Sequence, residues 1–231
     1  MDQTGPLVTV TLDGAQRPLP MGALRAVGRG LTGDVRVVVI RLPDGPLELF
    51  DGADLFEDDA AVDPLAWLGR PDLLSIAVLP GPAHGPALHL ALACDLRVLT
   101  SDATLSMVGA DGSASYHGIG ALTRLLGPAR ALELALTGRR VSAADAALLG
   151  LATLVVPADE LDARVRALVA TVVARPRDEV ITVKALVRGA GSRSAPEQCD
   201  AERAAQVSRL GDPGDTGTGT DTETSTPETQ E

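Results

Sequence analysis

Residues Leu79 to Leu99, LPGPAHGPALHLALACDLRVL, are the stretch on which the fold turns. Glycine and proline crowd its first half, which reads as a loop. Pro86 then suits the first turn of a helix, where its missing N–H would have no intrahelical acceptor. The apolar run through Leu88 and Leu92 continues that helix. Cys94-Asp95 ends it and opens a strand over Leu96 to Leu99. A strand also leads in, at Ile76 to Leu79. The unit is therefore strand, loop, short helix, strand, the signature of a parallel α/β arrangement.

Working outward, Leu7 to Leu12 alternates and ends at Asp13-Gly14, a strand and a turn. Pro20 to Leu31 reads as a short, weakly apolar helix. Val35 to Leu42 is a β-branched run, the mark of a strand buried on both faces. The stretch around Thr104 to Met107 continues the strand series. Beyond it the chain turns helical. Residues Leu136 to Leu151, LTGRRVSAADAALLGL, carry a capping pattern. The Ser142 hydroxyl is placed to accept a first-turn N–H, Asp145 complements the helix dipole, and Gly150 supplies the C′ position after Ala143 to Leu149. An amphipathic helix over Leu161 to Ala174 stops at Arg175-Pro176. Further helices are expected over Asp178 to Val187 and Ala201 to Leu210.

The 231 residues, 45% of them hydrophobic, suffice for one sizeable core. No apolar run reaches the roughly 18 residues of a membrane span, so no membrane partner is expected. The N-terminus MDQTGPLVTV is not read as a secretory signal. The two cysteines, Cys94 and Cys199, give no disulfide framework, and a reducing cytoplasm is the expected compartment. Cys94, in an apolar run, is expected to be a buried small hydrophobe. Aromatic residues at 2% and a net charge of −11 argue against nucleic acid as a partner. Residues 211–231 are acidic and rich in Thr and Gly, without Lys or Arg, and are expected to be a disordered tail after a domain spanning 1–210. Arginine almost wholly replaces lysine, and Lys184, the only lysine, is read as a residue of coding bias.

Three motifs in this order, Phe50 to Leu55 (FDGADL), Leu79 to Leu99, and Leu136 to Leu151 running on to Val155-Val156-Pro157, resemble the crotonase superfamily, the enoyl-CoA hydratase/isomerase fold. There the middle motif reads roughly A-x-G-G-G-x-E-L, and the last L-T-G-x-x-[IV]-x-A-x-x-A-x-x-x-G-L-V. The resemblance covers roughly residues 7 to 210. It implies an α/β crotonase-like (ClpP/crotonase) ββα spiral with a C-terminal helical trimerisation region from about residue 128. A homotrimer or a dimer of trimers follows, helped by an apolar Leu148, Leu149, Leu151, Val155 and Val156. An acyl-CoA or related acyl-thioester is the implied ligand, with CoA as part of the substrate and no further cofactor.

The resemblance also assigns a site. The family holds a thioester carbonyl between two backbone N–H groups that stabilise the enolate. Ala53 takes the first donor position of this oxyanion hole, in a substrate-binding stretch of Asp51, Ala53, Asp54 and Leu55. The glycine loop falls on Gly85-Pro86-Ala87, so the second donor position is Pro86, which has no N–H. A one-residue shift would hand that role to Gly85 or Ala87. His84 and Gly85 are counted as substrate-binding. The two glutamates that perform hydration map onto His89 and onto Val108-Gly109, where no carboxylate stands. The only three histidines, His84, His89 and His117, all fall in segments mapping around the site. A histidine titrates near neutrality and serves as a general base, so His89 and His117 are the candidate catalytic residues, with Asp111 to orient one of them. The alternatives are a helix histidine at His89 and a loop histidine at His84. No metal site is expected, since no His-x₃-His or Cys pair exists. Three classes of function stay open: a divergent enzyme acting on a thioester carbonyl or related carbonyl compound, a non-catalytic auxiliary protein supporting a partner enzyme, and a purely structural oligomer.

Overall fold

A computed structural model describes residues 1–12, 21–45, 47, 65–109, 112 and 116–210. The expected turn at Asp13-Gly14 and the acidic tail at 211–231 lie outside them. Contacts divide the chain into two compact units, Met1–Ala185 and Leu186–Glu231.

The first unit is built on a six-stranded sheet. Its strands are β1 (Asp2–Thr4), β2 (Leu7–Thr11), β3 (Val37–Arg41), β4 (Leu74–Leu79), β6 (Leu96–Thr100) and β9 (Leu154–Val156), in the order β1-β2-β3-β4-β6-β9. All neighbours are parallel except β1 and β2, a tight antiparallel hairpin. A second sheet of three short strands, β5 (Ala83–His84), β7 (Thr104–Ser106) and β8 (Val141–Ser142), runs β5-β7-β8. The chain alternates between the two sheets: β4 then β5, β6 then β7. Helix α2 (Pro86–Ala93) connects the first such pair to the second. This is the expected ββα spiral.

Side-chain alternation along the strands explains why both faces of the large sheet are covered. Val8, Val10, Val38, Ile40, Ala77, Leu79 and Leu99 point to one face. There they pack with Leu24 of α1 (Met21–Gly30) and with Leu88, Leu90 and Ala91 of α2. Val37, Val39, Ile76, Val78 and Val98 point to the other, against Leu161, Val165 and Val169 of α6 (Leu161–Val173). The i, i+4, i+8 spacing of those three residues puts them on one stripe of the helix.

Between β7 and β9 the chain makes α3 (Ile119–Leu126), α4 (Pro128–Thr137) and α5 (Ala143–Leu148). The expected Ser142 cap forms: its Oγ accepts the Asp145 N–H at 3.1 Å. Gly150 follows at φ +76°, the left-handed turn that ends the helix. The apolar run after it divides. Leu151 and Val156 are buried in this chain's own core, so they are not available to a neighbouring subunit. Leu154 of that run is exposed, as are Leu132 and Leu136 on α4 and Leu148 on α5. Helix α7 (Arg177–Gly189) follows α6, and α8 (Ala195–Leu210) begins six residues before the expected Ala201. Its early start has a cause: Glu197 Oε2 reaches back over the helix start and accepts the Ser194 N–H at 2.7 Å and the Ser194 hydroxyl at 2.8 Å.

Candidate functional site

Helix α2 carries the middle motif, and its first residue is Pro86. Gly85 precedes it at φ +54°, ψ −115°, a conformation that L side chains rarely adopt. A Cβ there would also lie 2.9 Å from Gly109 Cα. Gly85 and Gly109 thus abut, backbone to backbone. The Gly85 N–H donates to the Ser106 carbonyl at 2.8 Å, a bond between β5 and β7. Gly85 is therefore committed to the sheet and is not a carbonyl donor. Of the three loop positions, Pro86 has no N–H and Ala87 lies in the first helical turn, whose N–H groups lack intrahelical acceptors.

His89 is half-buried on α2, one turn in. Its ring stacks on that of His117, centroids 5.2 Å apart and planes inclined 26°. Gly118, the next residue, lies against His89. At φ +86° it caps α3, and a Cβ on it would sit 3.4 Å from both Cα and Cδ2 of His89. His117 is exposed and reaches back over the helix from that turn. The structure so brings together His89, His117, Pro86, Gly85 and Gly109 around the start of α2. His84, the residue before Gly85, has its ring at β7: its Nε2 lies 3.0 Å from Thr104 Oγ1. Burial, then the charge of Arg140, holds its pKa below the usual histidine value. Asp51, Ala53, Asp54, Leu55 and Asp111 lie outside the described residues. Among the described residues no cluster of three or more His, Cys, Asp or Glu is placed to hold a metal ion.

The far end of α2 holds a charge network that no sequence pattern announces. Arg97, almost fully buried, donates from Nη1 to the Cys94 carbonyl at 2.8 Å and to that of Ala91 at 3.4 Å. Its Nε donates to the Leu151 carbonyl at 2.6 Å. A cation against the last carbonyls of a helix is favourable, and burial lowers the guanidinium pKa without bringing it near neutrality. Beside it Lys184 Nζ, from α7, lies 2.7 Å from Asp95 Oδ2, with side chains only 6% and 12% exposed. Lys184 also donates to the Leu73 carbonyl, and Asp95 Oδ2 accepts the Ser75 N–H at 2.9 Å. Cys94 is the buried small hydrophobe expected, its thiol pushed up to about 12 by burial. The one available signal for this network is the solitary lysine among arginines.

A family model described as enoyl-CoA hydratase/isomerase matches residues 64–216. The chain belongs to this family. A probable enoyl-CoA hydratase of Mycobacterium tuberculosis is 42% identical over 89 residues, 37% of this chain and 31% of that protein. The chain thus spans less than a third of that curated relative's length. Solved structures match over more of the chain. A candidate enoyl-CoA hydratase from Thermobifida fusca YX in complex with acetoacetyl-CoA is 34% identical, with a TM-score of 0.77, over 90% of this chain and 93% of that one. The same protein in complex with CoA gives 35% and 0.78 over 90% and 91%. An enoyl-CoA hydratase of Mycobacterium smegmatis is 27% identical at a TM-score of 0.76, over 90% and 88%. The spiral of enoyl-CoA hydratases, the crotonase fold, is therefore the fold of this protein, with the helical C-terminal part that goes with it.

Proposed function

We propose that this protein binds an acyl-CoA with the thioester carbonyl at the N-terminal end of α2, and that its chemistry is enolate formation by a histidine pair rather than hydration by two carboxylates. The His89–His117 stack beside that helix end carries the reading. Hydration requires one group to activate water and a second to protonate the α-carbon. The two positions that supply them in the family hold His89 and Gly109, and the second has no side chain. An imidazole pair suits a simpler step, in which one ring removes the α-proton and the other shares the charge. Ala53 is the proposed backbone donor, and the first turn of α2 supports it through the positive end of the helix dipole. The similar Thermobifida fusca protein, solved with acetoacetyl-CoA, supports a thioester as the ligand.

A second reading, an auxiliary protein that binds a thioester without turning it over, is favoured by one observation. Pro86 has no N–H, and Gly85 has its own committed to Ser106. Exposed Leu132, Leu136 and Leu148 are proposed to face neighbouring subunits of a homotrimer, testable by light scattering.

Incubating the protein with acetoacetyl-CoA or butyryl-CoA in D₂O and following the α-protons by NMR separates the readings. We expect exchange in the native protein and a loss of about 10²-fold or more in His89→Gln, the usual span for removing a general base. Crotonyl-CoA should show no hydration by loss of enoyl absorbance. Binding without exchange would favour the auxiliary reading. Turnover of crotonyl-CoA at hydratase rates would overturn the histidine mechanism.

A further inference from the structure

Helix α6 covers the sheet unevenly, and the uncovered part forms a groove. Its Leu161, Val165 and Val169 stripe is buried over β3, β4 and β6. The adjacent stripe, Asp162, Arg166 and Ala170, is exposed and overlooks β2. On β2 the residues facing this side are Leu7 and Thr9, while Val8 and Val10 turn into the core behind. Between helix stripe and strand lies a cavity of about 440 Å³, mostly apolar in lining. It runs the length of α6 from Asp162 to Val173, about 16 Å at 1.5 Å per residue. It lies on the opposite face of the sheet from α2, so it is not part of the thioester site.

We propose that this groove binds a single-chain aliphatic carboxylate, with the alkyl chain along Leu7, Val39 and Ala170 and the carboxylate on Arg166. Three observations converge. The volume stands at the low end of the roughly 300–1,000 Å³ typical of ligand pockets, enough for one chain and too little for a CoA ester. The groove is elongated, its lining on α6 running from Asp162 to Val173. The charge is complementary: the groove holds two guanidinium groups and one carboxylate. Asp162 pairs with Arg41 at one end. Among the described residues Arg166 is held by no carboxylate, and it stands exposed at the rim. In a chain of net charge −11 such a cation above an apolar floor is a local inversion. Arginine is also the side chain best matched to a carboxylate, through its paired N–H donors.

The test is a calorimetric titration of the full chain with sodium decanoate below its micellar concentration. Saturable one-to-one binding is expected. Arg166→Gln should weaken it about tenfold, and replacing decanoate by neutral 1-decanol should cost a similar factor. Ala170→Phe, which fills the groove from an exposed position, should abolish it. Affinity for acetoacetyl-CoA should stay unchanged in both variants, which keeps this site distinct from that at α2. Should Ala170→Phe fail to fold by circular dichroism, Arg166→Gln decides alone. Absence of saturation, or decanoate affinity indifferent to Arg166→Gln, would overturn the proposal. So would a smaller assembly in Ala170→Phe by light scattering, since that would mean a second copy occupies the face.

Discussion

At its C-terminal end α2 stops against charge that is fully matched: Arg97 on the carbonyls of Ala91, Cys94 and Leu151, and Lys184 on Asp95. At its N-terminal end the helix starts on two residues that offer no N–H to a ligand, Gly85 and Pro86, with two stacked imidazoles one turn away. At the first end Arg97, Lys184 and Asp95 are each held by partners within hydrogen-bond reach. At the second, the groups are a glycine, a proline and two stacked imidazole rings. The contrast separates what holds α2 in place from what α2 presents. Substitutions at the matched end should move stability far more than binding, and substitutions at the open end should do the reverse.

The sharpest test of the matched end is Lys184→Met. Removing one partner of a buried ion pair leaves the other charge uncompensated and typically costs about 3–5 kcal/mol. Urea unfolding at pH 7 should show a loss of that size, and an unchanged midpoint would refute the structural role of the pair. Arg97→Met comes next. It deprives three buried carbonyls of a charged donor, worth about 1.5–3 kcal/mol in unfolding free energy. The refolded variant should keep its affinity for acetoacetyl-CoA.

The open end should respond in affinity instead. Pro86→Gly restores an N–H, and a hydrogen bond to a charged oxygen contributes about 1.5–3 kcal/mol, against about 1 kcal/mol for the flexibility of glycine. The net is a tightening of roughly tenfold for an enolate-mimicking acyl-CoA analogue, about 1.4 kcal/mol, read by calorimetry. An unchanged affinity with intact circular dichroism would show that this loop does not face the thioester, and the auxiliary reading would then lead. The smallest effect belongs to His84, on β5 just before α2 begins. Its folded pKa is depressed by burial, so the unfolded chain binds the proton more readily. Stability should therefore fall as pH drops below about 6.5, the unfolded value, and level off below the folded pKa. Unfolding midpoints at pH 5.5 and 7.5 should converge in His84→Gln.

How much of this was legible follows from the range of the signals. Pro86 and Cys94-Asp95 mark the ends of α2 within a few residues of chain, and Ser142 marks the start of α5, because caps are local. The order of the three motifs pointed to the spiral, which periodicity alone would not separate from a doubly wound sheet. The second sheet was legible only at β7, within the stretch around Thr104 to Met107; the two-residue strands β5 and β8 are too short for any alternation to register. Lys184 and Asp95 are 89 residues apart, and no periodicity links them. An explanation by coding bias covered the arginines and concealed the one residue that departs from them. The stacking of His89 on His117 brings α2 against the turn before α3, a property of the folded chain and not of the motif.

Lys184 has a practical consequence. As the only lysine of the chain it marks the only peptide bond that a lysine-specific protease recognises, and its ammonium group lies buried against Asp95 in a helix. Cleavage there demands that the helix open and the amine leave its cage, so one cut, giving residues 1–184 and 185–231, reports the opening of the structure with no background from the surface. When opening and closing outpace cleavage, the digestion rate follows the population of the open form. A protease and a gel then measure the free energy of opening under native conditions, without denaturant.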